Sequence, residues 1–178
     1  DDVMNTQREV IYAQRQKVLD GEDLRDNMLS MLRSKISSVV MSAGAQEDGG
    51  IAVMERELEG LYFPKGTIAR VMAEPHEDFA EALYLQAVDT YENKEAAYTP
   101  AVMRELERVV MLRVVDEYWM DNIDAMDDLK QGIGLRAYGQ HDPVIAYKEE
   151  GFAMFEAMIA AIREETIRRM FLVQLRTN

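Results

Sequence analysis

The chain has 178 residues, 48% of them apolar, with four prolines, no cysteine and a formal net charge of −13. That apolar content is enough for a buried core and argues against disorder. The missing cysteine excludes disulfides, thiol catalysis and thiolate metal sites and fits a reducing compartment, and so acidic a chain repels phosphates and is a poor general binder of nucleic acid.

Met, Ala, Leu, Glu and Arg dominate, and β-branched residues form no alternating runs, so an all-α fold is expected. No apolar run approaches the ~20 residues of a membrane span, and the polar opening DDVMNTQREV is not a signal peptide. In chain order, residues 1 to about 20 read as a helix with Val3, Val10, Tyr12 and Val18 as its apolar points. No cap precedes Asp1, so this helix reads as the end of a longer one, in a chain cut from something larger. Residues 22–43 form a second helix whose stripe is Leu24, Met28, Met31, Leu32, Ile36 and Val39, with Gly44 as C-cap before the loop AQEDGG. A short helix is expected near Ile51 to Leu61. The pattern then breaks in YFPKG at Pro64 and Gly66, and TIARVM is too short to assign. Pro75 is expected in the first turn of the next helix, with Phe79, Leu83, Val88 and Tyr91 as apolar points.

Thr99-Pro100 is a strong helix start, because threonine caps and proline suits the first helical position. From there Val109, Leu112, Val115, Trp119, Ile123, Met126, Leu129 and Ile133 recur at spacings of three and four, up to Gly132 or Gly134. That run is about 33 residues, or roughly 50 Å of helix. Asp142-Pro143 repeats the start signal. A stripe of matching length follows: the Lys148 stem, Phe152, Phe155, Ile159, Ile162, Thr166, Met170 and Val173. Two matched stripes joined by one short turn predict an antiparallel helical hairpin. Its tip is LRAYGQHDP, residues 135–143. Residues 21–100 carry 15 acidic against 7 basic side chains, whereas Lys130 to Lys148 holds three bases, with Arg136, and one acid, Asp142. Tyr138 and Arg136 at such a tip either meet a partner or fold back over the helix ends.

No phosphate-cradling glycine motif and no H-E-x-x-H is present. His76 and His141 fall in turns beside Pro75 and Asp142 and read as solvated. Glu117, Asp121, Asp124 and Asp128 share one helix face, which could bind a cation, although an acidic stripe opposite an apolar one is usually solvated or faces a partner. No catalytic residue and no metal ligand set is assigned. Trp119 lies in mid-stripe as a core residue. The thirteen methionines, among them Met28, Met31, Met154 and Met158, fill core gaps or form an adaptable surface.

Two stretches carry a resemblance. DDVMNTQREVIYAQR and, more specifically, LRVVDEYWMDNIDAMDDLKQGIGLRAYGQHDPVIAYKEEGFAMFEAMIAAI resemble the C-terminal helical part of SecA, the bacterial preprotein translocase motor. The match rests on Asp116, Trp119, Met126-Asp127, Leu129-Lys130, Gly132-Ile133, Leu135-Arg136, Tyr138, Gln140, Asp142-Pro143, Tyr147-Lys148, Glu150, Phe152 and Met154-Phe155. It covers residues 1–20 and about 105–178 well, while 21–100 fits the family's variable wing by position only. Ala137 and Gly139 flank the tyrosine where some relatives have Gly and Ala.

The resemblance implies a helical scaffold domain in two parts, residues 1–20 and 101–178, with a helical wing, 21–100, inserted between them. It makes the hairpin the two-helix finger, whose tip reaches the cytoplasmic mouth of the SecY channel. Tyr138 then contacts the translocating unfolded preprotein, Arg136 and Gln140 share that contact, and Trp119 lies on the helix through which the scaffold restrains the motor's own nucleotide-binding domains. The parent is expected to be a protein-translocating ATPase that uses ATP and Mg²⁺. This fragment is expected to be no enzyme and to need no cofactor, because its residues carry no nucleotide-binding motif, no preprotein-binding domain and no zinc-binding tail. The implied location is cytoplasmic, peripheral at the inner face of the bacterial membrane through the channel, with no nucleic-acid partner. Apolar surface that would face the absent domains is expected to be exposed. Two other classes fit the residues without the resemblance: a freestanding helical protein-interaction adaptor working through its acidic wing, and a carboxylate-bundle metalloenzyme.

Overall fold

The computed structural model describes residues 1–46, 48–136 and 142–176, with the Arg136 side chain left out. Among the described residues the fold is all-α. It comprises α1 (Asp2–Leu19), α2 (Leu24–Gly44), α3 (Gly50–Leu58), α4 (Thr67–Ala73), α5 (Phe79–Tyr98), α6 (Pro100–Arg136) and α7 (Pro143–Leu172), without a strand. No helix among these residues is long and apolar enough to cross a membrane.

The helix starts follow from side-chain oxygens that take the first, otherwise orphaned, N–H groups. The Asp1 carboxylate accepts from Val3 N and Met4 N at 3.0 and 3.1 Å. The Thr99 hydroxyl accepts from Val102 N at 3.4 Å, and the Asp142 carboxylate from Val144 N at 2.9 Å. Both threonine–proline and aspartate–proline starts are therefore as predicted. The start expected at Pro75 is not. Asp78, in extended backbone, accepts from Glu81 N at 3.1 Å, so α5 begins at Phe79 and leaves Pro75 in the preceding loop. Gly132 and Gly134 do not end α6 either. The helix runs through both to Arg136, and a Cβ at either glycine would meet nothing within 4 Å.

Compactness divides the chain into two units. The first holds residues 1–22 and 108–165, the second residues 23–107 and 166 onward, so the last turns of α7 belong with the second. The second unit packs α2 against α3 and α5, and α4 against α5. All six predicted stripe residues of α2, Leu24 to Val39, are buried, together with Leu58, Leu83, Tyr91, Met103 and Ile167. The stretch YFPKG is anchored in this core: Tyr62 and Phe63 are buried, and Tyr62 packs its ring against Phe171 at 4.8 Å between centroids. The Glu59 carboxylate accepts from Gly66 N and Ile68 N at 3.1 and 3.0 Å, which resolves the ambiguity of TIARVM in favour of a helix start. Gly66 holds φ at +90°, a conformation that side chains rarely adopt and glycine takes without cost. Glu107 is fully buried, yet it accepts from the Tyr91 hydroxyl and from Arg104 Nε at 2.5 Å, so its charge is paired.

In the first unit five expected stripe residues prove exposed, Tyr12 (56%) and Val109 (45%) among them. The other three are Val10 at 41%, Ile123 at 38% and Phe152 at 61%, and their places are taken by Ile11, Asn122 and Gly151.

Candidate functional site

The first unit is built on side-chain contacts that fix the direction of its three helices. Arg15 of α1 forks onto Asp116 of α6, with Nε to Oδ1 at 3.0 Å and Nη2 to Oδ2 at 3.3 Å. Eight residues earlier on α1, Gln7 meets Asn122 and Met126, so α1 and α6 run antiparallel. Asp1 accepts from the Tyr147 hydroxyl and Gln7 donates to the Gly151 carbonyl, so α1 and α7 run parallel. α6 and α7 are therefore antiparallel, the predicted hairpin, with α1 laid along both.

Gln7 is the point where all three meet. It is 4% exposed, and Asn122 is 6% exposed. Asn122 Nδ2 donates to Gln7 Oε1 at 3.0 Å, while Gln7 Nε2 donates to the Gly151 carbonyl at 3.1 Å and approaches Met126 Sδ at 3.9 Å. Burying an amide is costly unless its donors and acceptor are met, and here both kinds of atom find partners. Gly151 permits the approach: a Cβ there would lie 2.9 Å from Met126 Cε and 3.4 Å from Val3 Cγ1. Sequence reasoning missed all three residues. The signal was present, since Val3, Gln7, Ile11 and Val18 form one stripe with a polar member.

At the far end of the hairpin the described residues flanking the tip are aliphatic and open. Leu135 is 77% exposed, Val144 58% and Ile145 54%. Of the candidate tip residues, Tyr138 and Gln140 lie outside the described residues, as does His141, and Arg136 is described only as the last backbone position of α6. Trp119 is nearly buried at 6% exposure. It lines a depression between α1 and α6 with Ile11, Tyr12, Leu19 and Met120, of which Tyr12 and Met120 are largely exposed. A second depression, between α1 and α7, is lined by Val3, Thr6, Val10, Lys148, Phe152 and Phe155. Glu117, Asp121, Asp124 and Asp128 all face outward, and no cluster among the described residues brings together three side chains able to hold a metal ion.

An all-α scaffold of two helical units, one a clasped hairpin with aliphatic side chains open at its end, is the class of protein that this fold and surface define. The chain belongs to the SecA wing and scaffold family, because the model of the SecA Wing and Scaffold domain matches residues 1–174. Protein translocase subunit SecA of Clostridium botulinum (strain Alaska E43 / Type E3) is 48% identical over 98% of this chain and 22% of its own length. The proteins of the same name from Finegoldia magna and, as SecA 1, from Clostridioides difficile are 46% and 45% identical over 98% and 99% of this chain. The chain spans about a fifth of the length of these curated relatives, 20% to 22%.

Proposed function

We propose that this chain is the coupling part of an ATP-driven preprotein translocase: residues 1–20 and 101–178 serve as helical scaffold and 21–100 as wing. The hairpin of α6 and α7 is the finger. Its tip, with Tyr138 as the principal contact and Arg136 and Gln140 beside it, touches the unfolded polypeptide at the mouth of the SecY channel on the cytoplasmic side of the membrane. ATP and Mg²⁺ act elsewhere in the parent protein, and the Trp119 helix carries the scaffold's restraint on the nucleotide-binding domains. The observation that supports this most is the clasped hairpin itself. Two long antiparallel helices, held in register at Gln7, end in exposed Leu135, Val144 and Ile145. Contacts to a moving chain must be weak and tolerant of sequence, and an aromatic ring packs on many side chains or on bare backbone.

The test is made in the full-length protein. Tyr138→Ala is expected to lower the rate of preprotein transport into vesicles by about tenfold or more, with ATP hydrolysis in the absence of preprotein unchanged. Undiminished transport contradicts the assignment of the tip.

A further inference from the structure

The C-terminal end of α7 is closed by another helix. The last four carbonyls of a helix have no intrahelical partner, and many helices satisfy them with a glycine in the left-handed conformation. α7 has no such device: no glycine follows Leu172, and no described residue beyond it has a positive φ. Among the described residues the one further turn bond at this end is Val173 N to the Arg169 carbonyl at 2.9 Å. Lys94, on α5, fills the gap. Its Nζ donates to the Met170 carbonyl at 2.6 Å and also to the Val173 carbonyl. One turn further along α5, the Tyr98 hydroxyl accepts from Leu175 N at 3.1 Å. An amino group at this end also opposes the negative pole of the helix dipole.

Around these contacts the chain changes character. Ile167, Met170 and Phe171 are buried, and Phe171 packs against the rings of Tyr62 and Tyr91 at 4.8 and 5.6 Å. Beyond them Leu172 is 49% and Leu175 38% exposed. The segment after Phe171 therefore has little apolar burial of its own, and two side chains of α5 hold it. Such a segment can open at low cost while the core stays closed.

We propose that Lys94 and Tyr98 form a releasable clamp in trans on the end of α7, whose opening frees residues 172–176 and leaves the α2–α5 core intact. The clamp goes beyond the translocase reading and does not depend on it. Hydrogen exchange followed by mass spectrometry in the whole protein tests it. Lys94→Met keeps the stem and removes the donors. It is expected to speed exchange of the amides of residues 173–176 by about tenfold or more, with the amides of Met28 to Val39 unchanged. Unchanged exchange at 173–176 overturns the clamp. An equal rise in both segments overturns it too, since Lys94 would then support the whole unit. Should Lys94→Met fail to fold, Tyr98→Phe decides. The loss of one hydroxyl is expected to expose the Leu175 amide alone, and wild-type exchange there contradicts the proposal.

Discussion

At the level of single residues, Gln7 carries the most structural information for its size. Its acceptor satisfies Asn122 and its donor satisfies Gly151, so α1 fits the hairpin in one register only. Replacing Gln7 by leucine strands the Asn122 amide in the core. The expected loss is about 1–3 kcal/mol of unfolding free energy, measured by urea denaturation. Asn122→Leu in the same background should recover part of it, because removing both partners is cheaper than removing one. A Gln7→Leu chain as stable as wild type contradicts the role given to Gln7. Lys94 provides a pH test. Burial pushes its ammonium down to about 8, against 10.5 for a free lysine, and outweighs the carbonyls that favour the charged form. The unfolded chain then takes up a proton that the folded chain lacks, so stability rises with pH between about 8 and 10.5. A neutral amine keeps two N–H donors for the two carbonyls, and Lys94→Met should flatten the rise in thermal unfolding across that window. Gln7, Asn122 and Gly151 were not legible beforehand for a shared physical reason. A search for apolar periodicity steps over an amide or a glycine and settles on the nearest apolar neighbour. Ile123 was taken for Asn122 and Phe152 for Gly151, although both lie one residue round the helix on the open side.

At the level of elements, the capping chemistry was legible and the exact seams were not. Thr99-Pro100 and Asp142-Pro143 start α6 and α7 because oxygen acceptors and a preset φ act locally, without help from packing. Asp142→Ala is accordingly expected to cost about 0.5–2 kcal/mol and to lower helicity by circular dichroism, even with Pro143 retained. No change in either would mean that Pro143 alone starts the helix. The α2 stripe was read in full because every buried position there but Ala43 is a large apolar residue. Pro75 misled because proline's fit to a first helical turn says nothing of a better cap downstream, and Asp78 wins. Gly132 and Gly134 misled in the opposite sense: with the chain already helical from Pro100 onward, two glycines lower the stability of a helix without ending it.

At the level of the whole molecule, the chain forms two helical units. One unit presents a long hairpin braced by a third helix through Gln7 and through the Arg15–Asp116 pair. The other unit buries its polar network at Glu107 and closes α7 at Lys94. The hairpin was legible from two stripes of equal length. The clasp by α1 was not, because Ile11 and Gln7, which make the contact, were passed over for Val10 and Tyr12. The central claim is that the end of the hairpin meets the transported polypeptide. The most direct measurement places a photo-crosslinking amino acid at position 138 of the full-length protein and, as a control, at Met41, an exposed position on the other unit (77% exposed). During active transport, adducts with the moving polypeptide are expected from position 138 and not from position 41. No adduct from 138, or equal yields from the two positions, would contradict it.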